Sequence, residues 1–213
     1  MSILMRAPRE CASWFWDLED VTAPGLESAL ETVARMSAVL RENELLDPAA
    51  LEWSWFQVGI GGLGVHSRLD IVGRLGDAEI ADQVRACQPT GYPHAEMSAI
   101  LVVGSGTWLD AEGSRHSEPR LVELTVSPDP VGSSAELSVH HDVWGPCDFR
   151  GKPHPAVYAH NAPRLETALR GLDGLLGVVA EPGEPTYFGV AEGHGIKTPD
   201  IIDGLGPDLT DLL

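Results

Sequence analysis

Two stretches of alternating apolar and polar residues, PRLVELTVSP (119–128) and AELSVHHDVW (135–144), are separated only by the turn-forming DPVGSS. Alternation with a period of two marks strands that bury one face. A parallel crossover needs a dozen or more residues, so so short a connection leaves an antiparallel pair as the economical topology. Upstream, MSAILVVGSG (97–106) is an uninterrupted apolar run with β-branched residues, the pattern of a strand covered on both faces near the middle of a sheet. LEWSWFQVGI (51–60), rich in aromatic and β-branched residues, reads as a further strand entering the glycine-rich GGLG, and TYFGVA (186–191) as the last strong strand signal.

Helical spacing appears three times. GLESALETVARMSAVLREN (25–43) places Leu26, Leu30, Val33, Met36 or Ser37, and Leu40 on one stripe, after the start signals Thr22 and Pro24. GDAEIADQVRACQP (76–89) does the same with Ile80, Val84 and Cys87, after Asp77 as cap and before the breaker Pro89, which makes Cys87 a core residue. NAPRLETALRGLDGLLG (161–177) gives Asn161 as cap, Leu165, Leu169, Leu172 and Leu176 as the buried row, and Gly177 as the stop. The expected fold is α+β, a mainly antiparallel meander packed with two or three amphipathic helices. No repeat or linker splits residues 1–213, so one domain is expected.

With 43 % hydrophobic residues in a chain of 213, the core is ample. Acidic residues outnumber basic ones 32 to 14, a formal charge of −18 that repels nucleic-acid phosphates and anionic lipid. Neither is an expected partner, whereas a basic protein is, with solubility as the plainer use of the same charge. Ten of the acidic residues lie between Glu10 and Glu52, against two arginines. The candidate docking residues there are Asp17, Glu19, Asp20, Glu27 and Glu31. Cys11, Cys87 and Cys147 have no framework or CxxC spacing, the start MSILMRAPRECASWFWDLED lacks the layout of a signal peptide, and no apolar run approaches a membrane span. A cytoplasmic protein is expected.

The segment SVHHDVWGPCDFRG (138–151) concentrates the groups that carry chemistry. Continued as a strand, it alternates Leu137, Val139, His141 and Val143 with Ser138, His140, Asp142 and Trp144. His141 is then a core histidine. His140 and Asp142 share the other face, two positions apart, a spacing that presents an imidazole and a carboxylate to one ion, with His154 or His160 to complete a metal site. The Gly- and Pro-rich loop beyond the strand carries Asp148 and Arg150, which can pair and leave a guanidinium fork for a carboxylate ligand near Trp144, or else tie the loop to an acidic neighbour. Cys147 has no activating base beside it in sequence.

Two glycine motifs invite nucleotide readings that their context does not support. Gly59, Gly61 and Gly64 have dinucleotide-fingerprint spacing, but VHSRLDIVGRL after them suits a second strand better than a helix, so a glycine-rich hairpin is expected. ILVVGSGTW resembles the strand and glycine loop of S-adenosylmethionine methyltransferases, yet it lacks the preceding acidic residue and leads into a turn. Trp53 and Trp55 share a strand face, where core or interface anchoring is expected. The segment from SVHHDVWGPCDFRG through NAPRLETALRGL resembles uncharacterised proteins encoded in high-GC bacterial genomes, and in size and charge the chain is similar to immunity proteins that neutralise polymorphic toxins. No nucleophile, base and orienting group stand in a catalytic arrangement, so a non-enzymatic acidic binding protein without cofactor is expected, with neutralisation of a toxin as its most specific form. A metal-dependent, hydrolase-like enzyme using His140 and Asp142, and a small-molecule binder using the Trp144 and Arg150 region, are the alternatives.

Overall fold

The computed structural model describes residues 4–129 and 132–213. Along the chain run β1 (Ala12–Asp17), α1 (Leu26–Glu42), β2 (Asp47–Gln57), β3 (Gly61–Asp70), α2 (Ala78–Ala86), β4 (Glu96–Met97), β5 (Ile100–Leu109), β6 (Arg115–Pro119), β7 (Val122–Ser127), β8 (Ser134–Val139), α3 (Pro155–Leu176), β9 (Glu181–Pro182), β10 (Ala191–Glu192) and β11 (Gly195–Ile196). The nine strands β1 to β9 form one antiparallel sheet in the order β3-β2-β5-β7-β8-β1-β9, with β4 beside β2 and β6 beside β5. This is the expected α+β class, 26 % helical and 34 % strand. β7 and β8 pair in register from Val122↔Val139 to Ser127↔Ser134. Pro130 and Val131 of the turn expected between them, like residues 1–3 of the N-terminal stretch, lie outside the described residues.

One sheet face is covered by α1 and α3, with α2 against α1. Val122, Leu124, Val126, Ala135, Leu137, Trp14 and Trp16 enter this core from the sheet, while Leu30, Val33, Met36, Leu40, Leu165, Leu169 and Leu172 enter it from the helices. β5 alternates buried with half-buried residues, so it is dry on one face and partly covered on the other. The GSG of the methyltransferase-like stretch is explained by packing. A Cβ on Gly104 would stand 2.2 Å from the Asp47 carbonyl oxygen, and one on Gly106 2.2 Å from that of Leu45. The first strand-forming residues of β2 cross β5 too closely for any side chain. The other glycine cluster forms the expected β2–β3 hairpin, with Gly59, Gly61 and Gly64 at positive φ and Trp53 and Trp55 in edge-to-face contact in the core.

The open sheet face is polar and crossed by linked ion pairs. Arg68 and Arg120 grip Glu52 at 2.6 and 2.7 Å, and Arg6 grips Glu123 at 2.8 Å, with Arg120 3.5 Å from the same carboxylate. His140 belongs to this face, 3.8 Å from Glu123.

Three sequence expectations are corrected. α3 begins at Pro155, not at Asn161, and runs through Pro163. Asn161 is fully buried inside it, its Oδ1 accepting from Leu109 N–H at 2.9 Å and its Nδ2 donating to the Leu109 and Val157 carbonyls at 2.8 Å. TYFGVA is not one strand: residues 186–189 form a turn closed by a Thr186↔Gly189 bridge, with Gly189 beside the Cys11 carbonyl, 2.5 Å from where a Cβ would stand, and Ala191 alone joins the short β10. Cys87 caps the end of α2 half-exposed rather than inside the core. No helix among the described residues is long and apolar enough to cross a membrane.

Candidate functional site

The histidine stretch stops being a strand at Val139. The N-terminal segment pairs with it from there, Ala7 N–H donating to the His140 carbonyl at 2.8 Å and Asp142 N–H to that of Met5 at 3.1 Å. The chain then enters a 3-10 turn, Asp142–Trp144, and the strand alternation ends. His141 is buried and His140 half-buried, as alternation through residue 141 requires. Asp142 departs from it. Only 3 % exposed, it takes an N–H from Met5 on Oδ1 at 3.1 Å, and its Oδ2 has no hydrogen-bond partner.

The metal set expected from His140, Asp142, His154 and His160 is not assembled. His140 faces Glu123, the His154 ring bonds the Gly145 carbonyl at 2.7 Å, and the His160 ring bonds that of Asp110 at 2.9 Å. Among the described residues no three His, Cys, Asp or Glu side chains are placed to share an ion. The second expected trio is also divided. Asp148 does not pair with the Arg150 guanidinium; its Oδ1 accepts the backbone N–H groups of Arg150 and Lys152, shaping the loop. Trp144 is buried against α3, and Arg150 is exposed.

A cavity of about 290 Å³ opens beside the 3-10 turn. Its lining includes Cys11, Asp142, Cys147 and Asp148, and also Phe188, Ile196, Lys197 and Asp200. The loop 145–153 is held in place by the C-terminal segment, with Gly206 N–H on the Gly151 carbonyl at 2.8 Å and Leu209 N–H on that of Phe149 at 2.7 Å. Phe149 and Phe188 meet edge to face in the wall, centroids 5.5 Å apart. The sequence singles out Asp142 but on the wrong face. Phe188 is read there as part of a strand, and Ile196 and Lys197 escape sequence reading because they are isolated in a Gly- and Pro-rich stretch with no periodicity.

Burial governs the electrostatics here. It pushes the Asp142 carboxyl up to about 7, against the Met5 N–H and with the help of Asp148. It holds the His141 imidazole down at about 4, with Arg6 acting in the same direction. Burial and the charge of Asp142 together raise the Cys11 thiol far above its ordinary range, so it is a neutral packing group. Asp142 and His141 oppose each other in linkage. Folding keeps a proton on Asp142 between its unfolded and folded values, so stability falls as pH rises from about 4 to about 7; folding keeps His141 neutral, so stability falls as pH drops from about 6.5 to about 4. Replacing Asp142 with Asn removes only the first effect. Thermal melts of wild type and Asp142→Asn should therefore show the variant gaining ground as pH rises from 4 to 7, with no further gain above. A difference independent of pH would contradict the burial of an ionisable Asp142.

The docking candidates lie elsewhere. Asp17 ends β1, Glu19 and Asp20 follow it, and Glu27 and Glu31 sit on α1; all five are exposed. Glu27 pairs with Arg85. Among the described residues no cation approaches Asp17, Glu19, Asp20 or Glu31 within 4.0 Å. No protein-family model matches the chain, and the searches of curated proteins and of solved structures give no significant match.

Proposed function

We propose that this chain acts by binding rather than by catalysis: it is a cytoplasmic protein whose acidic surface docks a basic protein, and neutralisation of a basic toxin is the most specific form of that activity. The observation that supports this reading is the uneven use of cations. Arg6, Arg68 and Arg120 are taken up in the ion pairs of the open sheet face, and Arg115 and Arg164 by Glu44. Asp17, Glu19, Asp20 and Glu31 keep their charge uncompensated at the end of β1 and on α1. Uncompensated charge on one region attracts a cationic partner before contact and speeds encounter, while repelling nucleic acid.

The test requires the partner, sought first as the product of the neighbouring gene. Wild type should bind it, and on co-expression should relieve any toxicity it causes. The quadruple variant Asp17→Lys, Glu19→Lys, Asp20→Lys, Glu31→Lys should associate about ten- to a thousandfold more slowly, with its circular dichroism unchanged because these side chains make no core contacts. Unchanged association by a folded variant would overturn the assignment of this face.

A further inference from the structure

The cavity beside the 3-10 turn lies at the other end of β1 from the acidic docking residues. Cys11, immediately before the strand, lines it, whereas Asp17 ends the strand, roughly 20 Å away at about 3.4 Å per residue. The two sites are therefore independent.

Three features of the cavity converge on one ligand chemistry. The first is an unsatisfied acceptor: Asp142 lines the cavity, is 3 % exposed, and has an oxygen, Oδ2, with no hydrogen-bond partner. A buried carboxylate oxygen left unpaired is costly, and natural interiors seldom leave one so without use. The second is the charge of the lining. Asp142, Asp148 and Asp200 are set against Lys197, with His141 held neutral by burial, so the lining is net negative. The third is the apolar wall, in which Phe149 and Phe188 stand edge to face with Ile196 nearby. Aromatic faces attract cations, and apolar side chains hold the hydrocarbon body that carries one.

We propose that this cavity is a binding site for a small organic amine, whose protonated ammonium pairs with the Asp142 carboxylate while its apolar body rests on Phe149 and Phe188. A net negative lining with one deeply buried carboxylate, aromatic walls and a volume of about 290 Å³ suit a ligand the size of an arylalkylamine rather than a peptide or a nucleotide. The ammonium brings a cation to a carboxylate that the fold supplies with neutral backbone N–H groups, those of Met5 and Phe149 among them. No bond is made or broken.

The test uses the whole chain with 2-phenylethylamine as probe, against two analogues of similar shape: neutral 2-phenylethanol and anionic 3-phenylpropionate. Binding is followed at pH 8, where Asp142 is ionised, by calorimetry and by the NMR carboxyl resonance of Asp142. The amine should bind at least about tenfold more tightly than the alcohol, in keeping with a charge-assisted hydrogen bond. The propionate should bind more weakly still, and the Asp142 resonance should shift with the amine alone. Asp142→Asn, checked for fold by its amide spectrum, should lose that preference. Equal binding of amine and alcohol, preferential binding of the anion, or an Asp142 resonance unmoved by saturating amine would each overturn the proposal, and the resonance decides it in the wild-type protein even if the variant fails to fold. None of these results bears on the docking of a basic protein at the far end of β1.

Discussion

Asn161→Ala should lower the stability of the protein by roughly 2 to 5 kcal/mol, one of the largest losses available to a single polar side chain here. Its amide meets both backbone groups of Leu109, as a neighbouring strand would, and also the Val157 carbonyl within its own helix. Truncation leaves the Leu109 N–H and C=O without their partner, at about 1 to 3 kcal/mol for each group left unpaired. Asn161→Asp keeps the acceptor but replaces the donating amide, and should recover only part of the loss. Urea denaturation measures both. A midpoint shift in Asn161→Ala equivalent to less than about 1 kcal/mol would show that β5 does not depend on this bridge.

The second large effect lies on the same helix. Leu169 is fully buried in the row Leu165, Leu169, Leu172 and Leu176, where α3 meets the sheet and α1. Leu169→Ala removes three carbon atoms from a packed site and should cost about 2 to 5 kcal/mol, the range set by how far the neighbours can close the void. The denaturant dependence should keep its slope while the midpoint falls. An unchanged midpoint would remove α3 from the core.

These two residues also mark how far the sequence is readable. The leucine row follows from a 3.6-residue period, and the structure seats every member of it. Asn161 is not the helix start that its local sequence suggests, for a physical reason. Asparagine before alanine and proline is a common way to begin a helix, and only the tertiary position of Leu109 shows that its amide serves another element. The same division holds along the chain. The paired alternation of 119–128 and 135–144 specifies β7 and β8, because the pattern is local and repeats. The strand end at Val139 is not local, since it is imposed by the Leu4–Ala7 segment, which pairs across more than a hundred residues. That one long-range contact carries Asp142 out of the His140 face and into the cavity wall, separating the expected metal set. The remaining wall comes from 186–200, where turn-forming residues interrupt every period and burial depends wholly on what the chain returns to. By contrast, the charge excess near the N-terminus is a matter of composition, and surface carboxylates stay exposed without any long-range information.

The rate constant for association at two ionic strengths decides whether, as proposed, uncompensated acidic residues guide a basic partner to this protein. Raising salt from about 0.01 M to about 1 M shortens the screening length from about 30 Å to about 3 Å and removes long-range attraction while leaving contact packing in place. Wild-type association should slow at least about tenfold across this range, while the quadruple lysine variant starts slow and loses little or even gains. Wild-type and variant rates that coincide at both ionic strengths would contradict it and leave the negative charge as a device for solubility.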